Sequence, residues 1–228
     1  SPVRGRLPVV MTTGNHDPAP ASSSAEALVA HTVDLIVEKG GSLDVNMREV
    51  ARRAGFAHTN VYNYYPSFDD LLWEAFRRVL GIYGTHLDEG LAPGAPASSY
   101  LGRFIENIVS FPIENPGLYR FIGSDPLGPD IPTDILETVT EMKQWMLAAF
   151  RACAPRVEPA VADEAGNIVY AYIDGETFNL INARVVPGED VAGRVTANAA
   201  RLYDLLTGTP VSDDPVVHPI PPWRSDAA

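Results

Sequence analysis

The sequence predicts an all-α protein on three observations. Helix-start signals, a short polar residue followed three positions later by an acid, precede apolar residues spaced three and four apart. Glycine and proline fall at the borders between those segments, where a missing amide or a left-handed turn does least harm. No two alternating apolar runs are joined by a hairpin signal, and no segment repeats.

Each helix has its own justification. Ser23-x-x-Glu26 reads as a capping box, and Leu28, Thr32, Leu35 and Ile36 then form one stripe that Gly40-Gly41 ends. Asn46-x-x-Glu49 opens a short second helix carrying Val50, Ala51 and Ala54, closed by Gly55. A third short helix begins near Ala57. Ser67-x-x-Asp70 caps a fourth, expected over 68–85, with Leu71, Leu72, Ala75, Phe76, Val79 and Tyr83 on its apolar face. Past a Pro/Gly/Ser-rich break at 92–99, helices are expected near 98–112, 116–123, 133–153, 158–185 and 188–207. Pro112, Pro116, Pro126 and Pro159 stand at their borders.

The chain of 228 residues has a formal charge of −12, unevenly spread. Residues 1–80 hold eight Lys/Arg against nine Asp/Glu, and residues 81–228 hold nine against twenty. That balance excludes general coating of nucleic acid but leaves room for a local DNA-reading surface in the first third. The lone Cys153 excludes an internal disulfide, and no Cys/His set has zinc spacing. No apolar run approaches the roughly 20 residues that span a bilayer. The start lacks the charged-then-apolar order of a signal peptide. A soluble, cytoplasmic protein with no membrane partner is expected. Of 20 prolines, nine lie within 1–24 and 209–228, so both ends read as tails, the first flexible and the second Pro-rich. Ser1–Val10 precedes Met11 and reads as vector-derived or as an alternative start.

Function concentrates in Met47–Leu72. Two short helices joined by a Gly-containing turn present the second one at the surface, and the major groove of DNA admits one such helix. That second helix carries His58, Thr59, Asn60, Tyr62, Asn63 and Tyr64, all able to hydrogen-bond a base edge or a phosphate. Val61 and Tyr65 are expected to face inward.

Residues 26–76 resemble the N-terminal domain of the tetracycline-repressor (TetR) family of bacterial transcription regulators. The resemblance rests on Val50-Ala51, Ala54-Gly55-Phe56, Val61-Tyr62-Asn63-Tyr64-Tyr65 and Ser67-Phe68-Asp69-Asp70-Leu71-Leu72, with their spacing. Asn115-Pro116-x-Leu118-Tyr119-Arg120 and Ile173-Asp174-Gly175 resemble looser family features. Three departures stand out. Phe68 occupies the place of the family's usual phosphate-binding Lys, Ala57 that of the usual Ser or Thr cap, and the recognition helix has no Lys or Arg. Arg48, Arg52 and Arg53 are left to supply positive charge.

The resemblance implies a helix-turn-helix domain over 25–67 and a larger ligand-binding and dimerisation domain over 68–208. It implies a homodimer on near-palindromic double-stranded operator DNA, acting as a repressor whose binding a hydrophobic or aromatic small-molecule effector controls. The implied DNA-binding residues are Arg48, His58, Thr59, Asn60, Tyr62, Asn63 and Tyr64, with Tyr62 and Tyr64 on phosphates and Thr59, Asn60 and Asn63 on bases. Arg4 and Arg6 read either as a minor-groove arm or as part of the tail. The implied ligand pocket takes Phe104, Ile108, Phe111, Trp145, Met146 and Tyr170, together with Asn107, Asp174 and Phe178. The same aromatics at helical spacing also make a plain core. Asp174, Glu176, Asn179 and Asn182 interrupt an otherwise apolar helix. A buried carboxylate there needs a cationic or polar aromatic ligand, an Arg such as Arg184, or interfacial water. Val191, Val195, Ala199, Leu202 and Leu206 form a stripe that serves either a four-helix dimer interface with the 158–185 helix or the monomer's own core. The fourth helix is the natural lever between the domains.

An enzyme is not expected. Cys153 reads as a buried structural thiol, and His31, His58, His86 and His218 are scattered without catalytic or metal spacing. No cofactor is implied. The rival reading is a helical ligand-binding or partner-binding dimer that has lost tight DNA binding.

Overall fold

The computed structural model describes residues 21–128, 131–216 and 223. Arg4, Arg6, His218 and most of both expected tails lie outside the described residues. Nine helices are present among those described: α1 (Ala21–Lys39), α2 (Met47–Arg53), α3 (His58–Val61), α4 (Phe68–Asp88), α5 (Ala97–Glu114), α6 (Pro116–Gly123), α7 (Thr133–Cys153), α8 (Pro159–Ile181) and α9 (Val191–Thr207). They contain no strand, so the all-α expectation holds.

The head is α1–α3, packed on the first half of α4. Its core is Leu28, Leu35, Ile36, Val50, Ala51, Val61 and Leu71, all nearly or fully buried. Asn46 caps α2 by accepting the Glu49 amide at 3.0 Å. Ser67 and Asp70 form the full reciprocal box at the start of α4. Helix α1 begins at Ala21, two residues before its expected cap. Ser24 is buried and Ser23 exposed within this first turn.

The larger body places α5 at its centre, against α4, α7, α8 and α9. Phe104, Phe111, Phe150 and Tyr203 are fully buried in it. Pro112 sits inside the last turns of α5 rather than at its border. Helix α8 stops four residues short of the expectation, where Ala183 turns left-handed at φ +54°. Helix α9 starts at Val191, because Asp190 caps it by accepting the Gly193 amide at 2.9 Å. Residues 209–216, expected to be loose, are pinned instead. The Ala97 amide donates to Asp214 (2.9 Å), Val216 donates to Ala95 (2.9 Å), and Val216 is buried. Satisfying the free amides at the start of α5 is a sufficient physical reason.

Head and body meet where α1 crosses α6. A Cβ on Gly117 would lie 2.8 Å from the Ile36 carbonyl oxygen and 3.0 Å from the Gly40 Cα, so only glycine permits this approach. Gly117→Ala is expected to cost about 1–3 kcal/mol, because the obstacle is backbone rather than a movable side chain. Urea unfolding checks it; an unchanged midpoint would show that the helices separate freely.

Burial pushes the Cys153 thiol from its ordinary 9.0 up to about 12, and the Tyr65 phenol from 10.0 up to about 12. Both folded-state values are raised. The stability these groups confer is therefore complete below the ordinary values and lost as pH rises towards about 12. The urea midpoint should fall between pH 8 and about pH 11, and Cys153→Ala should reduce that fall.

Candidate functional site

The first site is the outer face of the head. Gly55, at φ +75°, makes the turn between α2 and α3, and the Phe56 amide closes back on the Ala51 carbonyl at 2.9 Å. Val61, fully buried, anchors α3 from beneath. His58, Thr59, Asn60, Tyr62 and Asn63 are thereby left exposed together, beside exposed Arg48 on α2. His58 and Tyr62 stack edge-on at 5.3 Å on one face. Tyr64 differs from the other expected DNA-facing residues: it is half-buried, its ring edge-on to Phe56 at 5.9 Å. The regular helix ends at Val61, and turns continue its path to Tyr65.

The charge on this face is thin. Arg53 forms a two-pronged pair with Glu38, which holds that carboxyl below its ordinary range. Lys39 is bound to Glu49. Arg48 and Arg52 are exposed and make no ion pair among the described residues. Phe68, in the place expected to hold a phosphate-binding Lys, packs against the core.

The second site is a pocket of about 450 Å³ between α4, α6, α7 and α8. Phe76 and Leu80 of α4, Met142 and Met146 of α7, and Phe150 form its apolar wall. Tyr83, Tyr119, Tyr170 and Asp174 form its polar end. The Tyr119 hydroxyl donates to Asp174 Oδ1, and the Tyr83 and Tyr170 hydroxyls stand 3.5 Å apart. Burial pushes the pKa of all three phenols up, so they stay protonated at neutral pH. Lys143 and Asn167 stand at the exposed margin.

Of the residues expected to bind ligand, Met146, Tyr170 and Asp174 line this pocket, and the other six do not. Phe104 is core, edge-on to Trp145 at 5.9 Å and to Phe150 at 5.3 Å. Trp145 turns away from the pocket and packs on Trp223 at 6.0 Å. Phe111 stacks on Tyr83 at 4.7 Å from behind, and Ile108 is buried in the body. Asn107 is structural: its amide donates to the Leu87 and Glu89 carbonyls at 3.1 and 2.8 Å, satisfying the end of α4. Phe178 is half-buried beyond the pocket. Sequence reading missed the α4 and α6 contributions. Phe76, Leu80 and Tyr83 follow one another at helical spacing, so they were indistinguishable from core until α7 stood away from them.

Of the stripe that served either a dimer interface or the monomer's core, three residues face the core, and Leu202 and Leu206 are partly exposed. Val191, Val195 and Ala199 are buried, and α9 packs on α8 and α5. Cys153 is buried and donates to the Ala149 carbonyl at 3.3 Å, a structural role. Among the described residues no group of three or more His, Cys, Asp or Glu is placed to hold a metal ion, and no helix is long and apolar enough to cross a membrane.

Solved structures share this architecture. A TetR-family transcriptional regulator from Streptomyces coelicolor superposes with a TM-score of 0.66 at 18% identity, covering 83% of this chain and 84% of its own. A TetR transcriptional regulator from Rhodococcus sp. RHA1 gives 0.56 at 19%, covering 82% and 97%. RolR, in complex with resorcinol, gives 0.55 at 16%, covering 83% and 89%. No protein-family model matches the chain, and no curated protein matches it. The fold is that of the TetR-family transcriptional regulators.

The start of α3 is uncapped. Ala57 makes no side-chain hydrogen bond there. Ala57→Ser should stabilise the protein by about 1 kcal/mol. Thermal unfolding reads this out; no gain would mean that tertiary contacts alone hold α3.

Proposed function

We propose that this protein is a homodimeric DNA-binding transcriptional regulator of the TetR type, a repressor whose operator binding is set by a small hydrophobic or aromatic effector. In this reading residues 25–67 are the DNA-binding domain and 68–208 the ligand-binding and dimerisation domain. One observation carries it: a four-residue helix, pinned by one buried valine, exposes His58, Thr59 and Asn60 together, with Tyr62 and Asn63 on the turn that follows. An exposed cluster of hydrogen-bonding side chains on a short, surface-presented helix suits a DNA groove and serves no purpose in folding. Asn60 and Asn63 suit adenine, since an amide both donates and accepts. Tyr62, Arg48 and Arg52 suit phosphates.

The dimer is assigned to the outer faces of α8 and α9, where Val161 and Ile168 are each 41% exposed and Leu205 is 78% exposed. Small Ala171 and Gly175 continue that face of α8 and permit close approach. The effector site is the pocket of α4, α6, α7 and α8. RolR, with resorcinol bound, is a protein of the same fold that accepts a small phenol. A dimer that no longer binds DNA tightly is the rival reading, favoured by inward-packed Phe68 and the committed charges of Lys39 and Arg53.

The experiment is titration of the purified protein with DNA from upstream of its own gene, followed by selection from random sequences, across salt. Two uncommitted arginines per head give about four neutralised phosphates per dimer, hence a log–log salt slope of about −4. Asn60→Ala should weaken operator binding about tenfold, about 1.4 kcal/mol, and leave binding to random DNA unchanged. No sequence preference in either experiment would establish the rival.

A further inference from the structure

The second half of α4 carries a seat for an aromatic ring, separate from the large pocket. We infer that this seat is a binding site for an indole-sized flat aromatic, and that the chain fills it with its own Trp223, a tethered ligand that ties α4 to α7.

Three observations meet there. Gly84 is buried within α4, and a Cβ on it would lie 2.2 Å from both Cδ1 and Nε1 of the Trp223 indole. Glycine inside a helix is less stable than alanine, so its use here matches a ring that takes the space of its side chain. Trp145 of α7 meets the same indole edge-on, with centroids 6.0 Å apart and planes at 71°. Asp88, one turn beyond Gly84, accepts the Trp223 backbone amide; burial pushes that carboxyl up and this bond draws it back. One residue is thereby held from α4 and from α7 together.

The ring is tethered close to its seat. Upstream, the Ser98 amide donates to the Ser212 carbonyl at 3.1 Å, and Val216 is buried. A ring joined by a short stretch of chain faces its site at an effective concentration on the order of millimolar. The fit is incomplete, however. The indole Nε1 is buried and finds no acceptor among the described residues, and an unmet buried donor weakens the hold. A free indole therefore competes for the same space once the tethered ring is removed. The seat also borders the pocket. Leu80 and Tyr83 lie within a turn of Gly84, and Met142 and Met146 within a turn of Trp145, so filling the seat fixes the spacing of two pocket walls. The inference stands on these contacts and does not depend on what the pocket binds.

The test compares full-length wild-type protein with Trp223→Ala by thermal unfolding and by calorimetric titration with indole. Trp223→Ala should lower Tm by about 2–4 °C and bind one more indole per chain. Indole taken up by the large pocket is common to both proteins and cancels in the comparison. Gly84→Ala sets the sign. In the wild type its Cβ expels the ring, and Tm should fall. In the Trp223→Ala background the space is empty and the helix gains from alanine, so Tm should rise by about 2–4 °C and the extra indole should be lost. Gly84→Ala in the wild type needs no change in the tail and tests the seat by itself; an unchanged or raised Tm there overturns the inference. So does equal indole uptake by the wild type and Trp223→Ala.

Discussion

The guanidinium of Arg120 is the point on which the two halves of the molecule depend. From α6 it donates to the Gly40 carbonyl just past the end of α1 (3.1 Å), to the Ile181 carbonyl at the end of α8 (2.5 Å) and to Asn182 Oδ1 (3.3 Å). Helix C-termini leave carbonyls unpaired and carry partial negative charge, so one planar cation satisfies two of them at once. Asp125, just beyond α6, completes the joint by accepting the Ser42 amide at 2.6 Å and its hydroxyl at 2.9 Å. Gly117 lets the backbones approach closely enough for these bonds to form. Three residues of one short segment thereby hold the head on the body.

The position of that joint gives the proposed regulation a physical route. Tyr119 precedes Arg120 in the chain and stands in the pocket, bonded to Asp174 of α8. A molecule entering the pocket meets Tyr119 on the helix that grips α1. Helix α4 offers a parallel route, since Phe76, Leu80 and Tyr83 line the pocket while Leu71 and Leu72 lie buried nearer the head. A ligand shifts such an arrangement only by the difference in its affinity for two states. The contacts able to carry that difference are those at the polar end, where Tyr119 and Asp174 already hold α6 to α8.

The head shows how intramolecular pairing limits an interface. Arg53 and Lys39 join α2 to α1 through Glu38 and Glu49, and this use of cations for internal pairing removes them from any phosphate. What remains exposed is Arg48 and Arg52 beside a set of polar side chains: a histidine, a threonine, two asparagines and a tyrosine. In the proposed DNA-binding reading, a surface so composed would discriminate by hydrogen-bond pattern more than it attracts by charge.

Local features were legible in the sequence because their causes are local. Ser67-x-x-Asp70 forms its box, Asn46 caps α2, Gly55 turns left-handed, and α6 and α7 span the expected residues. Each follows from the chemistry of a few adjacent residues. The exposed set on α3 was legible for the same reason, since buried Val61 fixes which face points out. Tyr64 escaped because its partner, Phe56, belongs to the turn before the helix. The pocket escaped almost entirely. Whether Phe104 or Phe76 faces a cavity depends on how α4, α5 and α7 are spaced, a matter of packing among residues far apart in the chain. The stripe on α9 likewise carried no mark of which neighbour would cover it. The sequence by itself determined the helices, their caps and the outward face of the head. Only the tertiary structure decided which aromatics are core, which line the pocket, and that Arg120 joins the two halves, because those outcomes depend on distances no local pattern encodes.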